Sequence, residues 1–209
     1  MTIIQMLMGV PGSSGAQLEF IGASHVSDGE NNATLTYPAG IAAGDLMVFV
    51  GANLEQSHPS PTGGGWVDQG GVVLCGIYTK TAAGTESGAV ARTLPAYGGA
   101  SIYIFRGAAL VDSDVIFTPM DSGNTPAPSS VATNAGQLHV LGKVSVNDDS
   151  TPSGYTPAGA GDSLDVEGIF IYTYGYIATL SSAGSTPTPS FSESPFANNV
   201  LYSIVIGES

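Results

Sequence analysis

Nowhere does this chain sustain the three- and four-residue apolar spacing of a helix over ten residues without a glycine or proline interrupting it. That feature closes off most fold classes. What remains are short runs rich in Val, Ile, Tyr, Phe and Thr, cut by turn-forming residues. They predict strands at LEFIGASHV, NATLTYP, DLMVFVGANL, GVVLCGIYTKT, AVARTL and ASIYIFRGA. A second set follows at DSDVIFTP, SSVAT, QLHVLGKVSV, LDVEGIFIYTYGYIA, TPSFS and NVLYSIVIG. Strands at this spacing imply an all-β sandwich or barrel.

The runs also recur in order. Ala43–Leu54, AGDLMVFVGANL, aligns with Ala135–Val146, AGQLHVLGKVSV. GGGWVDQGG before GVVLCGIYTKTAAG corresponds to SGYTPAG before EGIFIYTYGYIATLSSAG, with Tyr155 where the first copy has Trp66. ASIYIFRG, Ala100–Gly107, matches VLYSIVIG, Val200–Gly207. The expected fold is therefore an antiparallel, jelly-roll-like β-sandwich with an internally duplicated, pseudo-twofold strand pattern. A half of four or five strands cannot bury both faces alone, so the halves would pack on each other as one domain. Residues 1–17 would be an arm and hinge, residues 18–209 the sandwich, with halves of about 18–116 and 117–209 joined through the polar stretch Phe117–Ser130.

Composition narrows the partners. With 209 residues and 43% hydrophobic content the chain can bury a sizeable core, and only 10% of its residues are charged. The formal net charge is −13, and the basic residues are Lys80, Arg92, Arg106 and Lys143. Nucleic acid and anionic membrane surfaces both require clustered cations, so neither is an expected partner. The lone Cys75 lies in an apolar run and reads as a small buried thiol. The start, MTIIQMLMGV, lacks the basic flank of a signal peptide, and no apolar stretch approaches a membrane span. These features fit synthesis in a cytoplasm, which leaves the Asn32 sequon little weight.

The order of PAGIAAGDLMVFVGA, GGGWVDQGG, YTKTAAGTESG and YIFRGA resembles a family of β-sandwich domains in phage virion proteins and bacterial surface proteins. The resemblance covers Asn31–Ala108 well and the later half weakly. Its motifs are structural: a Pro-Gly turn, a Gly-Asp-led apolar strand, a Gly-Trp turn and a strand ending in Arg-Gly. It implies a non-enzymatic structural protein on the exterior of a phage capsid or tail, made in the host bacterial cytoplasm. A receptor- or carbohydrate-binding module of a phage tail or cell surface is the alternative.

Catalytic signals are weak. His25, His58 and His139 show no metal-ligand spacing, and no nucleophile elbow occurs. Asp148, Asp149, Asp162, Asp165 and Glu167 could offer oxygen ligands to calcium, but neither stretch follows the EF-hand spacing, and solvated turn acids are the commoner reading. No catalytic residue, cofactor or metal is expected. Trp66, Tyr155, Tyr172, Tyr174 and Tyr176 could together form a platform for a host surface glycan; the three tyrosines at period two equally suit packing within the protein.

The arm carries Ile3, Ile4, Met6, Leu7, Met8 and Val10, followed by the flexible PGSSG. An apolar segment of this kind is expected to anchor the sandwich to other virion proteins, through a homo-oligomer and most simply a trimer.

Overall fold

The structure, a computed structural model, describes residues 17–28, 34–54, 57–88, 90, 98–118, 125–146, 151–159, 161–166, 169–191 and 198–209. Its first strands are β1 (Glu19–Asp28), β2 (Leu46–Asn53), β3 (Val67–Val72), β4 (Cys75–Thr81) and β5 (Gly98–Arg106). There follow β6 (Ala108–Thr118), β7 (Thr125–Pro126), β8 (Val131–Ala132), β9 (Leu138–Ser145) and β10 (Thr156–Pro157). The last are β11 (Asp162–Val166), β12 (Ile169–Thr179), β13 (Gly184–Ser185), β14 (Ser190–Phe191) and β15 (Asn199–Glu208).

Two antiparallel sheets pack face to face. The first runs β1-β5-β2-β4-β3, the second β10-β12-β9-β15-β6 with β11 also paired to β12. The chain completes one sheet before it begins the other, a simpler winding than a jelly roll's passage back and forth. Replacing β1, β5, β2, β4 and β3 by β6, β15, β9, β12 and β10 converts one order into the other. The registers agree as well: Leu46 lies between Thr81 and Phe105, and Leu138 between Thr179 and Ile206. Even the bulges coincide. Ile21 is the extra residue opposite Ile104 and Phe105, and Val111 the extra residue opposite Val205 and Ile206.

Two features differ from the sequence expectation. The crossing between sheets falls at Gly107, because β6 pairs with β15, so the joint lies upstream of Phe117–Ser130. Pairing also puts Gly207 on the rung of Arg106, one residue away from the alignment of Gly207 with Gly107. The reason is the two-residue period of a strand. Only this register turns both Tyr103 and Ile204 toward the space between the sheets.

That space holds the main core. Leu46, Val48, Val50 and Ala52 from β2 meet Tyr103 and Phe105 from β5, with Val140 and Val144 from β9 and Tyr202, Ile204 and Ile206 from β15 opposite. The outward faces are covered too. Leu35, Ala82 and Val90 lie over Met47, Phe49, Ile102 and Ile104, while Ala127 and Phe191 lie over Leu141, Tyr176 and Leu201. This explains why DLMVFVGANL reads as a continuous apolar run: all eight residues of β2 are buried. Burying its two outward apolar side chains, Met47 and Phe49, contributes roughly 1.5–3 kcal/mol each.

NATLTYP was expected to be a strand, but its described residues 34–38 form part of this outer cover. Tyr37 N–H donates to Gly88 C=O at 3.0 Å, and Val90 N–H donates to Leu35 C=O at 2.6 Å. The cover ends in the same turn on both sheets. Gly44 N–H donates to Ala82 C=O and Ala82 N–H to Asp45 C=O; Gly136 N–H donates to Leu180 C=O and Leu180 N–H to Gln137 C=O. Gly44 and Gly136 have φ of 91° and 85°, in the left-handed region where a side chain is costly.

Candidate functional site

A buried polar cluster lies between the sheets. Gly142 on β9 and Gly175 on β12 leave room for the Tyr202 and Tyr103 rings, which a Cβ at either position would overlap. The two hydroxyls meet at 2.6 Å, and Tyr202 donates to Ser101 Oγ at 3.1 Å. Ser101 Oγ is 2.7 Å from His25 Nδ1, and His25 Nε2 is 2.6 Å from the Ala158 carbonyl. A carbonyl only accepts, so Nε2 carries the proton and Nδ1 accepts from Ser101. The hydrogen bonds then run from Tyr103 through Tyr202, Ser101 and His25 to the Ala158 carbonyl as the final acceptor. Burial raises both tyrosine pKa values, and each ring stays neutral. Ser27 and Thr173 add a hydroxyl pair at 2.8 Å. The cluster ties β1 and β5 to the second sheet, but its tyrosines have no open face to a substrate.

A second cluster sits on the outer face of the second sheet. His139 Nδ1 lies 2.6 Å from Tyr155 Oη and Nε2 lies 2.7 Å from Ser203 Oγ, which also accepts from Ser130 Oγ at 2.8 Å. A serine beside a histidine is the pair that nucleophilic catalysis needs. Here both side chains are fully buried. Burial alone pushes the His139 imidazole down to about 4 and the Tyr155 phenol up to about 12. The arrangement holds loops onto the sheet and admits no substrate.

The expected aromatic platform is divided. Trp66, just before β3, packs on the outer face of the first sheet: its ring is 6.0 Å from Phe49, its Nε1–H donates to Thr62 C=O at 3.2 Å, and Lys80 Nζ stands 5.9 Å from its centroid. Tyr155, just before β10, holds the corresponding corner of the second sheet, as do Tyr174 and Tyr176 with that sheet's outer cluster. Trp66 and the tyrosines therefore face opposite sides of the sandwich. Tyr172, Tyr174, Tyr176 and Phe191 stack in series at 5.9, 6.4 and 6.1 Å. Their faces meet each other, which removes the flat surface a sugar would need.

His58 is held by Val73 C=O and Tyr78 Oη, each at 3.0 Å, and Cys75 is a free thiol, buried and raised in pKa by desolvation. No three His, Cys, Asp or Glu side chains converge on a metal position among the described residues. Asp148, Asp149, Glu167 and the arm residues Ile3, Ile4, Met6, Leu7, Met8 and Val10 lie outside the described residues; Asp162 and Asp165 lie on β11, where only the backbone is described.

Sequence reasoning missed the ion pairs. Arg106 Nε and Nη2 donate to both oxygens of Asp45 at 3.0 Å, and Nη2 also donates to Gly40 C=O at 3.1 Å. Asp45 is 2% exposed and accepts Ala42 N–H as well. Glu86 accepts N–H bonds from Ala83, Gly84 and Thr85 and lies 3.5 Å from Lys80. Burial works to raise the Glu86 pKa, but these bonds and Lys80 outweigh it and lower it. The signal was present in the Gly-Asp and Gly-Thr-Glu turns, but nothing local pairs Asp45 with a residue sixty positions away. The largest of the described cavities, about 470 Å³, opens at one end of the second sheet beside Gln137 and Glu208. The class defined by this geometry is a two-sheet antiparallel β-sandwich. Comparison with protein-family models, curated proteins and solved structures finds no match.

Proposed function

We propose that this chain is a non-enzymatic structural protein of a bacteriophage virion, displayed on the outside of a capsid or tail and built from a repeated five-strand half. One observation carries the non-enzymatic part: among the described residues, the three histidines and the serine and tyrosines beside them are committed to holding the fold. His139 and Ser203 are sealed under loops, Tyr103 and Tyr202 are closed between the sheets, and His58 is bonded at both nitrogens. A covered sandwich with few charges suits a rigid displayed module. The virion assignment rests on the resemblance of Asn31–Ala108 to phage β-sandwich domains. In this reading the apolar arm joins the sandwich to other virion proteins, within a homotrimer.

Quantitative mass spectrometry of purified particles tests the proposal. The chain should be present at a fixed copy number, in the hundreds for capsid decoration or a few to a few dozen for a tail position. Absence from particles that infect normally overturns it. So does saturable turnover of a glycan, ester or peptide that a single Ser, His or carboxylate substitution abolishes.

A further inference from the structure

Each half carries a groove beside the main core, and the two grooves match position for position. In the first half Leu46, Gly65, Val67, Thr79, Lys80 and Thr81 line about 270 Å³. In the second half Leu138, Gly154, Thr156, Ile177, Ala178 and Thr179 line about 300 Å³. The registers make these the same rungs: Leu46 pairs with Thr81 and Val67 with Thr79, as Leu138 pairs with Thr179 and Thr156 with Ile177. Their chemistry differs. Ile177 and Ala178 stand in the second groove where the first has Thr79 and Lys80, and Phe20 of β1 adds a further apolar wall there. Val67 and Thr156 exchange the other way, both at an exposed rim. Phe20 and Leu138 are half-buried, so the second groove leaves apolar surface of the core's margin open.

The second groove stands where the N-terminal segment enters the sandwich. Phe20 lies three residues after Gln17, the first described residue, and β1 is an edge strand that pairs with β5 alone among the described residues. Its other edge is free to take a further strand. Upstream, Pro11–Ala16 is a six-residue spacer that opens on a Pro-Gly turn signal, and six residues span at most about 20 Å. Before the spacer, Ile4, Met6, Met8 and Val10 recur at period two, the stripe that a strand lays on one face. We propose that Met1–Val10 turns back at Pro11-Gly12, pairs antiparallel along the free edge of β1 and seats Met8 and Val10 in the groove of its own chain. The same chain is the favoured occupant because a short tether holds the segment beside the groove at high effective concentration. This contact goes beyond the anchoring role proposed above and does not rest on it. In an assembling particle the arm exchanges its own groove for a partner, so the groove stores the arm beforehand.

The test is methyl-contact NMR on the full chain. Met8 and Val10 should show contacts to Leu138, Ile177 and Ala178, and a mixed sample of labelled and unlabelled chains should show none between copies. Thr156→Trp fills the groove from its exposed rim and should remove those contacts. Limited chymotrypsin cleavage after Leu7 should then run about tenfold faster, because it follows the open population. Met8→Ser/Val10→Ser changes the arm and leaves the sandwich untouched; it should have the same two effects, and it decides the matter should the tryptophan variant fail to fold. Absence of the contacts in the wild-type chain, contacts between copies only, or contacts and cleavage unchanged in the variants overturns the proposal. Particle composition, which tests the virion reading, does not enter, so the two proposals fail separately.

Discussion

His139 makes stability fall with acid in a way that can be calculated. The imidazole is fully buried on the outer face of β9, between Tyr155 and Ser203, with Ser130 behind the serine. Burial lowers its pKa from the ordinary 6.5 to about 4, so the folded chain refuses a proton that the unfolded chain takes up. A histidine whose folded pKa is depressed contributes in full above about 6.5, and the contribution is lost as pH falls from there toward 4. At about 1.4 kcal/mol per unit the total is roughly 3 kcal/mol, and about 2 kcal/mol of it is gone by about pH 5. Against a typical stability of about 5–15 kcal/mol that is a large share. The assay is urea unfolding, followed by the fluorescence of the single tryptophan, Trp66, at about pH 7.5 and about pH 5. His139→Gln removes the titrating group. It should cost about 1–3 kcal/mol at the higher pH, because Tyr155 and Ser203 lose a well-placed partner. Between the two pH values, wild type should then lose about 2 kcal/mol more than the variant. His25, His58 and the carboxylates are common to both proteins and cancel. Parallel curves, agreeing within about 0.5 kcal/mol, would refute the reasoning, since a buried neutral imidazole cannot be silent across its own titration.

Four further outcomes follow from the packing. Gly142→Ala places a methyl against the Tyr202 ring and should destabilise the fold by about 1–3 kcal/mol, with partial recovery in Gly142→Ala/Tyr202→Leu; an undiminished urea midpoint in the single variant would contradict the close approach. Tyr202→Phe removes the hydroxyl partner of Tyr103 Oη and the donor to Ser101 Oγ and should cost about 1–3 kcal/mol, read in the same assay; a neutral result would mean the hydroxyl chain contributes nothing. Glu86→Gln should lower the melting temperature at neutral pH, and the gap should close as pH drops through the lowered pKa of Glu86, because its contribution exists only above that value. A gap that is constant with pH would show that charge is not involved. Deletion of Met1–Val10 should leave the sandwich folded by circular dichroism but absent from assembled particles; normal incorporation would remove the arm from the proposed function.

What the sequence settles by itself is the local vocabulary. Its interrupted apolar runs leave only strands, and β2, β5, β9 and β15 fall where DLMVFVGANL, ASIYIFRGA, QLHVLGKVSV and NVLYSIVIG predict them. A β period and a glycine turn are written in neighbouring residues, so they can be read without knowing what lies across the molecule. Pairing cannot. GVVLCGIYTKT reads as one strand, yet Val72 pairs with Cys75 and the run folds back on itself. LDVEGIFIYTYGYIA likewise divides into β11 and β12, which pair with each other. The one-residue shift that sets Gly207 beside Gln137 arises from which face each strand must bury, a condition imposed by the opposite sheet. The site residues show the same limit. Trp66 and Tyr155 hold matching positions in the sequence but opposite faces in space. His139 is polar in composition and buried in fact, because loops from Ser130 and Tyr155 close over it. Tertiary structure alone decides such matters, since burial and partner choice depend on contacts across the molecule, such as Arg106 with Asp45 and His139 with Ser203.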